Sequence, residues 1–308
     1  MIEAFDLFEP AADFPDPRAA VRYAQLVGLD EVKEILHKEA TLLLDPQLLR
    51  EWSKRHHRAE IAALGYFGDR PPLFLFGGDV GTGKTQLAET FGDRLAAETE
   101  TSIRLRKLSL NSRGTGRVGE MTKLISSAFS EVAQEARRFV VRERRTGAVI
   151  LIIDEADALA QSRELQQMHH EDRAGVNALI RSVSQIAEES LPVLVVACTN
   201  RINAIDPAIR RRAAHTFTFS RPNTEQREAV LAAGLAGLDF TPTQIRQLAE
   251  ATGPRGKRAY GANYSDLTQR LIPAAILDAF PNRPLEFPGL LSMAKGIEPT
   301  APFAESPT

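Results

Sequence analysis

Three short stretches of the chain carry side chains whose types and spacing suit phosphoryl chemistry. The first is Gly78-Asp79-Val80-Gly81-Thr82-Gly83-Lys84-Thr85, which fits G-x-x-x-x-G-K-[ST] at every position. Its glycines let the backbone curl so that N–H groups face a phosphate, and a helix opening at Lys84 adds a favourable dipole. Lys84 is expected to reach the β- and γ-phosphates, and the Thr85 hydroxyl to ligate Mg²⁺. The expected nucleotide contacts are thus Asp79, Gly81, Thr82, Gly83, Lys84, Thr85 and Gln86. A glycine-rich turn with a chance lysine is the bland alternative, but the apolar stretch before the loop and the helical pattern after it weigh against that. The second stretch is Asp154-Glu155, directly after the apolar run Ala148 to Ile153. Asp154 is expected to hold Mg²⁺, directly or through water, and Glu155 to polarise the attacking water. Acids also open helices for dipole reasons alone; a phosphate loop upstream makes the catalytic reading the stronger one. The third is Thr199-Asn200, closing the buried run that begins at Val193, where an amide could orient the water. Beyond it, Arg210, Arg211 and Arg212 end a short helix. Arginine carries a permanent charge in a rigid fork, suited to a developing phosphoryl charge, although cations at a helix C-terminus are also common.

These groups need a scaffold, and the hydrophobic pattern supplies one. Leu73 to Phe76, Ile103 to Leu110, Ala148 to Ile153, Pro192 to Cys198 and His215 to Phe219 read as strands. Helices are expected over about 84–97, 119–138 and 173–188, the last with Val176, Leu179, Ile180, Val183 and Ile186 at helical spacing. Strand alternating with helix predicts a parallel five-stranded sheet covered on both faces. Side chains emerging at the strand ends then meet in the crevice of an open α/β sheet. After Pro222 only helical segments follow. The chain is thus expected to divide into a flexible arm (1–22), an α/β domain carrying the phosphate loop (23–221), a small all-α domain (222–292) and a disordered tail (293–308).

Composition narrows the function. With 38 Lys+Arg against 40 Asp+Glu, the net charge of −2 argues against a protein that coats nucleic acid or an anionic membrane. The single cysteine, Cys198, excludes an internal disulfide framework. The apolar runs are too short to span a bilayer, and the acidic start lacks a secretion-signal pattern. A cytoplasmic protein without membrane association is expected. His56-His57 and His169-His170 lack metal-protease spacing. The basic stretch Arg137 to Arg145 reads as a solvated helix end, with phosphate-backbone binding as the alternative.

The phosphate loop, Asp154-Glu155-Ala156-Asp157-Ala158-Leu159, Thr199-Asn200 and Ile205-Asp206-Pro207-Ala208 together closely resemble the AAA+ ATPases. Val27 and Gly28, within Val27-Gly28-Leu29-Asp30-Glu31-Val32-Lys33, resemble the segment whose backbone contacts adenine in that family. Gly261 to Leu267 is similar to its lid-domain box. The resemblance covers about residues 24 to 280 and implies an AAA+ P-loop NTPase fold, ATP with Mg²⁺, and a homo-hexameric ring. ATP would sit at subunit interfaces, with an arginine supplied by the neighbour. Arg212 is the first choice for that finger; Arg210 and Arg211 remain open. Arg173-Ala174-Gly175-Val176-Asn177-Ala178-Leu179 and the short exit after Arg212 are similar to the pachytene-checkpoint-type remodellers of HORMA-domain proteins. Bacterial members of that group belong to cyclic-nucleotide defence systems.

Two departures from the family pattern stand out. Gly116-Arg117-Val118-Gly119 occupies the place of the pore loop, so Arg117 replaces the usual aromatic and Val118 would be the apolar contact. Ser265 stands where many relatives place a γ-phosphate-contacting arginine, and Arg270 lies one turn on. The function expected is an ATP-driven motor that remodels a HORMA-domain signalling protein in anti-phage defence. A nucleic-acid-dependent loader or helicase, and a nucleotide-controlled assembly platform, are the alternatives.

Overall fold

The computed structural model describes residues 7–68, 70–108, 120–142, 144–158, 170–256 and 258–302. They form two compact units: one of residues up to 23, 31–77 and 85–217, the other of 24–30, 78–84 and 218 onward.

The first unit is built on a sheet. Its strands are β1 (Ala12–Phe14), β2 (Leu73–Gly78), β3 (Ser102–Lys107), β6 (Gly147–Ile153), β7 (Val193–Thr199) and β8 (His215–Phe219), in the order β1-β3-β6-β7-β2-β8. A two-stranded ribbon, β4 (Val140–Val141) with β5 (Arg144–Arg145), stands apart from it. Strands β3, β6, β7 and β2 run parallel. Every residue of β6 and β7 is buried. That is why both read as unbroken Val/Ile/Leu runs: a parallel strand covered on two faces has no solvent side on which to alternate. Helices α6 (Glu120–Arg138) and α7 (His170–Glu188) carry the covering side chains. Val176, Leu179, Val183 and Ile186 are buried at the predicted spacing, and Ile180 lies half-buried against the same cluster. Upstream, α1 (Pro17–Ala24), α2 (Asp30–Leu44), α3 (Gln47–His57) and α4 (Ala63–Gly68) precede the loop, and α5 (Lys84–Thr99) follows it.

Six strands are present where five were expected, and the sixth comes from the segment read as a flexible arm. Residues Ala12, Asp13 and Phe14 pair antiparallel with Leu105, Arg104 and Ile103. Asp13 forms an ion pair with Arg104 at 2.6 Å, the Asp16 N–H donates to the Asp93 carboxylate at 2.7 Å, and Phe14 is 3% exposed. Three residues flanked by prolines are too few to show a period, which is why the sequence hides this strand. The basic stretch is also tied down. Arg137 pairs with Glu189 at 2.6 Å, and Arg145 donates to the Leu44 and Ser190 carbonyls.

The second unit is helical. Helices α9 (Thr224–Gly234), α10 (Pro242–Ala251), α11 (Ile272–Ala279) and α12 (Phe287–Gly296), with a π-helical turn over Asp266–Leu271, enclose Val230, Leu231, Leu248, Leu267, Leu290 and neighbours. Asn223 and Thr241 cap α9 and α10, each in a reciprocal capping box with the glutamine three residues on. Arg227 is 3% exposed, and its guanidinium donates to the Ala249 and Pro222 carbonyls and the Thr224 hydroxyl. Helix α12 runs into the segment expected to be a disordered tail. Leu290 and Ala294 are buried in this core and Ile297 packs on it, so order persists beyond 293. The short stretch with its proline and two glycines conceals a helix whose formation depends on packing. The compact unit is also larger than 222–292, because it takes in residues 24–30 and the phosphate loop.

If β1 is integral to the sheet, Phe14→Ala should destabilise the fold by about 3 kcal/mol, the range of buried phenylalanine truncations. Chemical denaturation of the two proteins checks this, and equal midpoints would mean that the strand is peripheral.

Candidate functional site

In the first unit, register does the positioning. Ile153 lies opposite Ala197 across β6 and β7, and Gly77 opposite Thr199 across β2 and β7. The carboxyl ends of three adjacent central strands therefore fall at one edge of the sheet. Asp154-Glu155, Thr199-Asn200 and Gly77 emerge there together. The Thr85 hydroxyl donates to the Asp154 carboxylate at 3.3 Å, and the Glu155 N–H donates to the same oxygen at 3.0 Å. The other Asp154 oxygen lies 3.9 Å from the Lys107 ammonium at the end of β3, which also pairs with Glu89 at 3.0 Å. Burial works against the charge on Lys107, but the Glu89 contact outweighs it and raises the lysine above its ordinary pKa. Glu155 is exposed, with a left-handed backbone at φ 49°. That conformation is uncommon for a residue with a Cβ and concentrates at functional positions. The Thr199 hydroxyl donates to Asp157 at 2.7 Å, stapling the end of β7 to the turn after β6 and leaving Asn200 exposed beside it. Gln86 donates to the Arg22 carbonyl at 3.2 Å. Arg210, Arg211 and Arg212 are exposed at the end of α8 (Pro207–Arg212), whose N-terminus Asp206 caps.

In the second unit, the loop 78–84 wraps on itself. The Lys84 ammonium donates to the Gly78 and Asp79 carbonyls at 3.0 and 2.6 Å, and the Thr82 hydroxyl to the Asp79 carbonyl at 2.7 Å. Gly78 must be glycine, since a Cβ there would lie 2.0 Å from the Phe219 carbonyl oxygen. Gly81 sits at φ 68°, and its Cβ would meet the Asn263 amide at 2.7 Å. Residues beyond the motif hold this loop from outside. Asn263 donates to the Val80 carbonyl at 3.0 Å, the Ser265 N–H to the Gly81 carbonyl at 3.2 Å, and Arg221 to the Asp79 carboxylate. The Gly28 carbonyl accepts from Gln226 at 2.7 Å and from the Tyr264 hydroxyl at 3.4 Å, and Val27 packs on the helical core. Burial, helped by the nearby Asp30 charge, lifts the Tyr264 phenol to about 12, so it remains a donor. Arg270, one turn beyond Ser265, bonds to Asp266 at 2.7 Å and to the Glu298 carbonyl. Gln226, Asn263, Arg221 and Lys107 were not singled out from sequence. Gln226 left a local trace there, as the third residue after a capping Asn, and Asn263 lies within the Gly261 to Leu267 box. Arg117 and Val118 lie outside the described residues.

The glycine-rich lysine loop of the second unit and, in the first, a hydroxyl beside a carboxylate at the carboxyl edge of a parallel sheet are each features of the P-loop nucleoside triphosphatases. Residues 74–221 match the family described as "ATPase family associated with various cellular activities (AAA)". The chain belongs to this AAA ATPase family. It is 48% identical to CD-NTase-associated protein 6 of Escherichia coli strain MS 115-1, over 97% of each chain. Among solved structures, it matches a chain of the E. coli MS115-1 HORMA:CdnC:Trip13 complex with a TM-score of 0.90 and 49% identity, over 97% of this chain and 98% of that one. Rhizobiales Trip13 matches at 0.78 and 43%, over 96% and 100%. No helix among the described residues is long and apolar enough to cross a membrane.

The buried carboxylate behind the loop has a pH signature. Burial alone would raise the Asp266 pKa, but hydrogen bonds from the Thr300 hydroxyl, the Asn263 N–H, Arg270 and the Thr300 N–H hold it below the usual carboxylate range. The unfolded chain therefore takes up this proton first as the pH falls. The stabilisation is complete above the ordinary aspartate value of about 3.9 and is lost as the pH drops through the lower folded value. Asp266→Asn should melt at a lower temperature than wild type at neutral pH, with the gap closing below about pH 4. A gap independent of pH would contradict this.

Proposed function

We propose that the chain is an ATP-hydrolysing motor that works as a homo-hexameric ring in the cytoplasm and remodels a HORMA-domain protein in bacterial anti-phage defence. The observation that carries this reading is its end-to-end likeness to a chain solved in complex with a HORMA protein. The site geometry supports hydrolysis rather than binding alone. Lys84, at the close of the phosphate loop, neutralises the β- and γ-phosphates once its ammonium leaves the loop carbonyls. The Thr85 hydroxyl and Asp154 carboxylate, 3.3 Å apart, are hard oxygen donors of the kind Mg²⁺ takes. They would hold a magnesium ion that offsets charge on the same phosphates. Among the described residues, no group of three or more His, Cys, Asp or Glu side chains could hold a metal ion without such a substrate.

Glu155 is the base that activates water, exposed at the end of β6 on a left-handed backbone. Asn200, on the neighbouring strand end, orients that water. Val27, Gly28 and the loop residues Asp79, Gly81, Thr82 and Gly83 form the rest of the nucleotide seat, with Gln86 beside it on α5. Arg212 acts across the subunit interface on the transferring phosphoryl group, with Arg211 the next candidate; both stand exposed and ready for a neighbour. Arg117 and Val118 would grip the protein substrate in the ring's pore. Nucleic acid is not the substrate favoured here, since Arg137 and Arg145 of the basic stretch already bond to protein groups.

Glu155→Gln should bind ATP and trap the HORMA partner while hydrolysis falls by about 100-fold or more, the scale of a lost general base. Lys84→Ala should lose nucleotide binding. Arg212→Ala should lower turnover by roughly 10³ to 10⁵ while each subunit still binds ATP. Steady-state ATPase assays and a pull-down with Glu155→Gln read these outcomes, and robust hydrolysis by Glu155→Gln would refute the assignment of the base.

A further inference from the structure

A circuit of hydrogen bonds in the second unit begins and ends on the phosphate loop. From Val80 it runs to Asn263, whose N–H donates to the Asp266 carboxylate at 3.0 Å. Asp266 in turn accepts from the Thr300 N–H at 3.0 Å and the Thr300 hydroxyl at 2.7 Å. The Thr300 carbonyl accepts from Arg221 at 2.6 Å, and Arg221 closes the circuit on the Asp79 carboxylate. Arg221 also donates to the Gly261 carbonyl at 2.9 Å and lies over the Tyr260 ring at 4.7 Å. Its side chain is 13% exposed and that of Asp79 17%. Asn263 and Asp266 are buried completely. A half-satisfied network of this kind costs more than an apolar one, so its members hold or yield together. The strap Ile297–Thr300 is fastened further by Arg258, which donates to the Ile297 carbonyl at 2.9 Å, and by Arg270.

The placement of Asp79 gives the circuit a purpose. A carboxylate carried by the phosphate loop adds negative charge near the triphosphate that loop would bind, and like charges at close range repel. Arg221 pairs with it and offsets that charge. We propose that Arg221 and the C-terminal strap Ile297–Thr300 are positioning elements of the nucleotide site, holding the phosphate loop in its binding shape and cancelling the Asp79 charge. The inference rests on the loop being the ATP site. Binding at the loop and docking of the strap are then coupled, and the coupling runs both ways: ATP steadies the strap, and loss of the strap weakens ATP.

The test separates charge cancellation from general support. Arg221→Ala should raise KM for ATP about tenfold, the scale of a lost charge-assisted hydrogen bond. Its kcat should stay within about twofold, because the effect falls on ground-state binding. Adding Asp79→Asn to Arg221→Ala should bring KM back toward wild type, which a merely structural arginine would not allow. A chain ending at Glu298, or Thr300→Pro, which removes the N–H donated to Asp266, should speed amide exchange across residues 78–84 without nucleotide present. That arm decides the coupling independently of whether the loop binds ATP. An unchanged KM in Arg221→Ala, no rescue by Asp79→Asn, or unaltered loop exchange in both strap variants would each overturn the proposal.

Discussion

A strand buried on both faces has nowhere to place a polar side chain except at its ends, and the rest of the molecule follows from that constraint. Strands β6 and β7 are buried over their whole lengths. Acids, hydroxyls and amides are therefore excluded until Asp154 and Thr199, where the chain leaves the sheet. Parallel pairing then sets these exits side by side, because register fixes which residue stands opposite which. The candidate site's edge needs no separate device to assemble it. A one-residue slip of β7 would break the match with both neighbours at once and turn its side chains to the wrong face.

The two units solve the same problem by different physics. The sheet unit relies on apolar burial to bring its chemical groups to one edge, and it adds few direct bonds among them, chiefly Thr85 to Asp154 and Thr199 to Asp157. The phosphate loop is held by a buried polar network. That network includes Asn263 and Asp266, which are buried, and Arg221, whose side chain is 13% exposed. Apolar packing tolerates small displacements. Hydrogen-bonded geometry is directional and fails over fractions of an ångström. A loop that must present several N–H groups to a phosphate gains from the stricter kind of support.

This division explains what the sequence made legible. The five long strands, helix α7 and the two motif sites announced themselves, because apolar periodicity and a fixed eight-residue pattern are local. Thr85 and Asp154 lie 69 residues apart, yet each sits in a motif of its own, so their meeting could be foreseen. The pairings of the outer supports could not be foreseen, although Asn263 and Gly28 lie in segments that resemble the family's. Asn263 is 183 residues from Val80, Gln226 is 198 from Gly28, and Arg221 is 142 from Asp79. A polar residue chooses its partner by tertiary proximity and leaves no period behind. Edge strand β1 and helix α12 were hidden for a related reason. Each is too short or too rich in proline and glycine to stand alone, and each exists through what it packs against.

The antiparallel strand β1 also sets a timetable. It is made before its partner strand, since Arg104 lies 91 residues behind Asp13. At cellular rates of synthesis that delay is on the order of ten seconds. Until β3 arrives, Phe14 has no sheet to cover it, and until β1 docks, the outer edge of β3 presents unpaired N–H and C=O groups that could template another chain. The strand is thus made well before it can find its place, and sealing that edge of the sheet in a crowded cell has to wait for β3.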